Sequence, residues 1–148
     1  MKKTILILVF ILVAVAALIG YRLYKKQTPD VVDGKPDIAI DARGLVAAFD
    51  ADTAAANARF IDKVVEVTGT VKAIDTSGTI TLGDSTTESS VTCGLDRRHL
   101  KDYEGLKTGA VAVIQGVCAG YEKASGDDLL ASLGTTVQLR SAGVKKNK

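Results

Sequence analysis

Alternation of apolar and polar side chains is clearest in residues 64–73, which read VVEVTGTVKA. In an extended chain, one face carries Val65, Val67, Gly69, Val71 and Ala73, and the opposite face carries Glu66, Thr68, Thr70 and Lys72. Gly69 stands in the middle of the apolar face, which indicates a bulge or a sharp bend. We therefore predict one long strand with a single buried face, bent as a small closed barrel requires.

Four shorter strands are predicted downstream of this one. After a turn at 75–78 they occupy residues 79–82, 91–95, 110–118 and 136–140. Asp96 is expected to cap a short helix between the third and fourth strands, with Leu100 and Tyr103 facing inward. Five strands with a helix at that position are typical of the Greek-key OB barrel. A small open sandwich, which needs no helix there, is the alternative.

Two helical segments are predicted before the long strand. Asp41 is predicted to cap a helix that begins at Ala42 and places Phe49 on its apolar face. The alanine-rich residues 53–60 favour a second helix, because alanine is the best helix former. We interpret Phe49 and Phe60 as core anchors. The fold class is therefore an all-β core with accessory helices.

The amino-terminal segment is the most apolar part of the chain. Residues 4–21 carry no charge, and a helix of that length spans roughly 27 Å, close to a bilayer core of about 30 Å. Basic residues flank it: Lys2, Lys3, Arg22, Lys25 and Lys26. We predict a retained transmembrane anchor over residues 1–26 that contacts the membrane through residues 4–23. A cleaved signal peptide is the alternative, because Ala14-Val15-Ala16 resembles a cleavage site, although it lies inside the apolar run.

The remaining chain divides into three parts. They are a linker at 27–40 that holds both prolines, a barrel domain at 41–144 and a basic tail at 145–148. The chain has a formal net charge of +2, but residues 27–144 hold all 17 acidic residues and only 11 of the basic ones, which gives −6. Since an acidic domain repels phosphate polyanions, this charge disfavours nucleic acid as a partner.

No catalytic constellation is found in the sequence. His99 is the single histidine, and there is neither a G-x-S-x-G elbow nor a glycine-rich phosphate loop. His99 could converge with Asp96 and Asp102 on a metal ion, but a charged, solvent-facing helix explains the same residues. We predict no enzyme activity, no catalytic or metal-binding residues and no cofactor.

The only dense basic patch of the domain lies at residues 97–101. Arg97, Arg98 and Lys101 are candidate ligand contacts, because they could meet an anionic headgroup or phosphate. The alternative is a solvated face in which these cations pair with neighbouring carboxylates.

Cys93 and Cys118 lie near the ends of predicted strands. In an oxidising compartment, a pair within reach would form a disulfide. Two buried free thiols are the alternative, because unpaired cysteine is a common core residue.

Two runs of spaced residues carry a family resemblance. The first is Ala47-Ala48-Phe49-x-x-Asp52-x-x-Ala55-x-Asn57-x-x-Phe60-x-x-Lys63-Val64-x-x-Val67-x-Gly69-x-Val71, and the second is Leu106-Lys107-x-Gly109 followed by Val113-x-x-Gly116-x-Cys118-x-Gly120-Tyr121. Over roughly residues 40–140 the chain resembles the tRNA-anti-like family of OB-fold lipoproteins and membrane-tethered proteins of bacteria. Tyr121 is a further candidate ligand contact. The chain lacks a lipobox cysteine, so its anchor would be a helix, and Ser141 stands where relatives often carry another cysteine.

The resemblance implies an OB barrel on the far side of the cytoplasmic membrane and no established activity. We therefore expect a single-pass protein with an extracytoplasmic, non-enzymatic OB-fold binding module of the cell envelope. Its partner would be an envelope protein or a glycan. The alternative is single-stranded nucleic-acid binding by fold analogy, as with tRNA or single-stranded DNA. That mode needs stacking aromatic residues and a basic groove, and the strands at 79–82 and 91–95 supply neither.

Overall fold

The structure is a computed structural model that describes residues 12–21, 30–123 and 134–145. The helices are α1 (residues 12–21), α2 (Ala42–Ala51), α3 (Thr53–Phe60) and the 3-10 helix η1 (Asp102–Gly105). The strands are β1 (Ile38–Asp41), β2 (Val64–Asp75), β3 (Thr79–Gly83), β4 (Ser90–Leu95), β5 (Val111–Lys123) and β6 (Thr135–Val144). Within these ranges we find no helix with the length and hydropathy of a membrane span. Most of the predicted anchor lies outside the described residues.

Strands β2 to β6 close into a five-stranded barrel. β2 pairs antiparallel with both β3 and β5, and β3 pairs antiparallel with β4. β6 completes the ring, because it pairs parallel with β4 and antiparallel with β5. This mixed order, with η1 between β4 and β5, is the topology of the OB fold. The predicted barrel is confirmed, and the open sandwich is wrong.

β2 reaches two neighbours because it bends. Residues 64–70 pair with β5, whereas residues 71–75 pair with β3, and the register shifts between Val71 and Ala73. Gly69 stands just before this bulge and serves a different purpose. A Cβ atom at Gly69 would lie 2.9 Å from the Cβ of Ala42 at the start of α2. The glycine therefore lets the helix approach the strand.

Helices α2 and α3 close one part of the barrel with aromatic side chains. Asp41 caps α2, since its carboxylate accepts a hydrogen bond from the amide of Gly44 at 3.1 Å. Phe49 and Phe60 are 0% and 1% exposed, and their ring centroids lie 6.0 Å apart. Phe49 also stacks on Tyr121 with a centroid distance of 5.0 Å. The two phenylalanines are core anchors, as predicted.

The structure departs from the predicted element bounds at β1, β5 and β6. β1 begins at Ile38, inside the predicted linker, and pairs parallel with β2 from Ile38–Val65 to Asp41–Thr68. β5 and β6 extend beyond the predicted ends, to Lys123 and Val144, because they pair with each other through register shifts. A pattern of alternating side chains breaks at such shifts, so the sequence stops the strands too early.

The helix predicted after Asp96 is wrong in form. Asp96 instead accepts a hydrogen bond from the amide of Arg98, two residues on, and the chain turns before η1 begins at Asp102. Leu100 is 38% exposed rather than inward, whereas Tyr103 packs partly buried against the core as expected.

Candidate functional site

The outer face of the central strands presents a row of uncharged hydrogen-bonding side chains. Thr81 of β3 pairs in register with Thr92 of β4, and Thr92 pairs with Gln138 of β6. The alternate residues of these strands point into the core: Ile80, Leu82, Val91, Cys93, Val137 and Leu139. We call Thr79, Thr81, Thr92, Thr136 and Gln138 the threonine face. OB barrels bind ligands over this part of the barrel, where neighbouring strands lie about 4.8 Å apart.

A groove of about 280 Å³ lies between α2 and the loop that joins β3 to β4. Its floor is apolar and includes Ala42, Val46 and Leu82, and its rim is polar. Arg43 on α2 forms an ion pair with Asp84 of the loop. The backbone amide of Thr86, followed by its side chain and by Arg43, holds the pKa of Asp84 below its usual range. Asp84 is therefore a fixed anion that bridges helix and loop.

The far end of the groove is fixed by β6. The hydroxyl of Thr135 donates a hydrogen bond to Asp50 of α2 at 2.6 Å. The amide of Thr135 donates to the hydroxyl of Ser89 in the β3–β4 loop at 3.1 Å. Because α2, the loop and the start of β6 are tied together, the groove is preformed.

The structure separates the basic residues that the sequence grouped into one patch. The guanidinium of Arg98 donates two hydrogen bonds to Asp96, at 2.9 and 3.0 Å. These bonds hold the pKa of Asp96 at about 2. Arg97 and Lys101 are exposed, and their contact with a ligand stays a prediction. Tyr121 is half-buried in its stack on Phe49, so its ring serves the core.

His99 lies between two carboxylates. Its Nδ1 is 2.9 Å from Asp102, and its Nε2 is 2.9 Å from Asp30. The sequence indicated Asp102 but not Asp30, which is 69 residues away in the chain. Asp96, the other predicted neighbour, bonds Arg98 instead. Among the described residues no group of three or more side chains forms a metal-binding cluster.

Cys93 and Cys118 are both buried and both free. Each pairs in register with Leu139, Cys93 from β4 and Cys118 from β5. Two strand spacings, about 9.6 Å, separate them, whereas a disulfide needs Cα atoms within about 7 Å. The structure therefore holds the two residues as free thiols, the second of the two alternatives. Burial raises the pKa of Cys93 to about 12 and that of Cys118 to about 11.

Both thiols are expected to be unreactive in the native protein. At neutral pH, the native chain should react with Ellman's reagent more than a hundredfold more slowly than an exposed cysteine, because burial suppresses the thiolate. When the same chain is unfolded in guanidinium without reductant, both cysteines should react at once. The reaction should release two equivalents of the reagent's thiolate for each chain. An unfolded chain with no free thiol would show that the two sulfurs are bonded.

Comparisons with known proteins agree with this architecture. The family model tRNA_anti-like matches residues 1–130. A protein from Klebsiella pneumoniae, provisionally described as a nucleic acid-binding lipoprotein, matches this chain with a TM-score of 0.53 and 22% sequence identity. The match covers 73% of this chain and 92% of that chain, and at this identity it shows a shared fold.

An asparaginyl-tRNA synthetase from Entamoeba histolytica matches with a TM-score of 0.41 and 16% identity, over 77% of this chain and 25% of that chain. A likeness this low carries no functional conclusion. The comparison with curated protein sequences finds no match.

Proposed function

The chain belongs to the tRNA_anti-like family, and from this premise we propose that it is a non-enzymatic OB-fold binding module held in the bacterial cell envelope by its amino-terminal segment. The threonine face is the proposed binding surface, and the partner is an envelope protein or a glycan. The row formed by Thr81, Thr92 and Gln138 is the observation that carries the proposal.

Hydroxyl and amide groups suit a partner that offers hydrogen bonds rather than charge. Each hydrogen bond made by such a group contributes about 0.5–1.5 kcal/mol, so the row favours an extended ligand that contacts several strands together. The preformed groove beside α2 adds apolar contact area next to Gly83, at the end of β3. An extended protein segment or a glycan chain meets both requirements.

Membrane attachment is supported by the exposed apolar side chains of α1. Leu12, Leu18 and Ile19 are 72%, 64% and 56% exposed in the described part of the chain. Insertion of this helix into lipid removes these side chains from water, which is worth about 25 cal/mol for each Å² of apolar surface. The Klebsiella relative is itself named a lipoprotein, which supports a site at the membrane.

Single-stranded nucleic acid is the second candidate, because the name of the Klebsiella protein includes nucleic acid binding and OB folds bind single strands. This binding mode uses aromatic stacking and a basic groove. The threonine face has no aromatic side chain. Of its charged neighbours, Arg140 of β6 pairs with Asp62 at 2.8 Å, and Glu122 of β5 accepts a hydrogen bond from Gln138 at 3.5 Å. The chemistry of the face therefore favours an uncharged partner.

The threonine face is tested by removing its hydroxyls. The double variant Thr81→Val and Thr92→Val keeps the side-chain shapes, and we expect it to weaken saturable binding of the full chain to isolated envelope fractions by about tenfold or more. Thr108→Val, in an exposed turn, is the matched control and should bind like the parent chain. The fractions are purified cell-wall glycan and envelope protein, measured separately by pull-down titration.

A labelled 12-nucleotide single strand is the opposing probe. At physiological salt we expect its dissociation constant to be no tighter than about 10⁻⁴ M, the weak end of the range of non-specific binding. Micromolar, salt-dependent binding of the oligonucleotide, lost in the double variant, would replace the proposed partner with nucleic acid. Equal retention of parent and double variant on both envelope fractions would remove the threonine face from the proposal.

A further inference from the structure

Residues 30–36, which we call the strap, lie docked on the barrel just before β1. Val32 is 3% exposed. The side-chain amide of Gln115, itself fully buried in β5, donates hydrogen bonds to the carbonyl oxygens of Val31 at 2.5 Å and Gly34 at 2.8 Å. The sequence predicted this segment as a free linker, so its docking needs an explanation.

The strap begins with a charged contact to the barrel. Asp30 accepts from Nε2 of His99 at 2.9 Å, and Asp102 of η1 faces the other ring nitrogen at 2.9 Å. A neutral imidazole has one N–H and one lone pair, so it can donate to only one of these carboxylates. Only the imidazolium ion donates to both. Two carboxylates facing the two ring nitrogens therefore stabilise the protonated form of His99.

We propose that His99 is a proton-dependent latch, which fastens the strap to the barrel as the imidazolium ion and releases it on losing the proton. Gly143 of β6 gives the latch its space. A Cβ at Gly143 would lie 2.7 Å from a methyl of Val32 and 2.8 Å from the ring of His99. The strap, the histidine and β6 thus meet at one point without a side chain between them.

The charged groups around His99 come from each neighbouring element. The strap contributes Asp30, the turn after β4 contributes Asp96 and Arg98, and η1 contributes Asp102. Arg98 lies 3.7 Å from Asp30 but hydrogen-bonds Asp96. Lys145, beyond β6, bonds Gln115 and Glu66. When His99 loses its proton, it can donate to only one of Asp30 and Asp102, and Asp30 otherwise keeps the Val32 amide at 3.0 Å and the more distant Arg98.

The direction of the pH effect follows from the two partners. Burial lowers the pKa of His99, but the hydrogen bonds to Asp30 and Asp102 raise it by more. The resulting pKa lies above the ordinary 6.5. The bond to His99 likewise holds the pKa of Asp30 below 3.8. The latch is therefore fully closed between about pH 4 and 6.5 and opens as the pH rises through the raised pKa of His99.

Since His99 is the single histidine of the chain, its ring protons give one resolved titration by NMR in detergent micelles. We expect a midpoint above 6.5, and a lower midpoint in Asp30→Asn. In parallel, hydrogen exchange at the Val32 amide, which donates to Asp30 at 3.0 Å, should lose protection at high pH after correction for the intrinsic rate. Linkage requires about a tenfold loss for each unit by which the pKa is raised.

Three variants separate the latch from general stability. Asp33→Asn, an exposed carboxylate of the strap, is the matched control and should titrate like the parent. His99→Gln should abolish the pH dependence of Val32 exchange. Gly143→Ala should expose Val32 at every pH, because the new methyl displaces the strap without changing any charge.

A His99 midpoint at or below 6.5 would overturn the proposal. So would Val32 protection that varies with pH in His99→Gln as it does in the parent chain. Amides of β4 and β6 serve as the internal reference, since global unfolding would deprotect them together with Val32. The latch does not depend on what the threonine face binds, so these experiments stand apart from the binding assays.

Discussion

Phe49→Ala is expected to lower the free energy of unfolding by about 3–5 kcal/mol. The ring is fully buried and contacts two other aromatic rings, Phe60 and Tyr121. Its removal leaves a cavity at the point where α2, α3 and β5 converge. Because single domains are stable by only about 5–15 kcal/mol, this loss is a large share of the total. Chemical denaturation of the full chain in detergent, followed by circular dichroism, measures it.

Val111→Ala is the matched control for the same measurement. Val111 begins β5 but is 70% exposed, so its truncation should change stability by no more than about 0.5 kcal/mol. A loss below about 1 kcal/mol for Phe49→Ala would show that the helices do not close the barrel with this ring.

Gly69→Val is the second substitution with a large expected effect, a loss of about 2–3 kcal/mol or more. The new Cβ would meet the Cβ of Ala42 at 2.9 Å and that of Leu82 at 3.3 Å. Ala42 is the first residue of α2 and Leu82 belongs to β3, so neither side chain can move away freely. The helix must therefore move away from the bent strand. Thermal and denaturant unfolding should both report the loss.

The contact with Ala42 can be isolated by a double-mutant cycle. Ala42→Gly removes the nearer atom, so Gly69→Val should cost about 1 kcal/mol less in that background. Gly120→Val is the control, because a Cβ on this β5 glycine has no neighbour within 4 Å. Equal destabilisation by valine at positions 69 and 120 would mean that strand propensity, and not helix approach, explains the effect.

Local patterns in the sequence were sufficient for most of the barrel. The alternation of residues 64–73 predicted β2 because a strand with one buried face repeats every two residues. The helix cap at Asp41 could be predicted equally well, since a capping carboxylate acts within three residues of its own position. The order of the strands then followed from the OB pattern rather than from any single residue.

Contacts that depend on strand order could not be predicted from local patterns in the sequence. β1 has only four residues and pairs with β2 across two intervening helices, so no local period marks it. A disulfide between Cys93 and Cys118 was considered because both lie near the ends of predicted strands. Only the insertion of β6 between β4 and β5 places Leu139 between them.

The candidate sites were predicted least well, for a related reason. Arg98 looked like part of a basic patch, but a short-range turn commits it to Asp96. The partner of His99 that matters for the strap, Asp30, is distant in sequence and lies in a segment with the composition of a linker. Side chains that project from β3, β4 and β6 form the threonine face only after the barrel has closed.

Because Leu139 separates the two thiols, we expect the folding and stability of the barrel not to depend on the redox state of its surroundings. No cross-link has to form during folding, and none is present to be reduced afterwards. The domain should therefore fold equally well under reducing and oxidising conditions, without an oxidant or an isomerase, and dithiothreitol should leave its melting temperature unchanged.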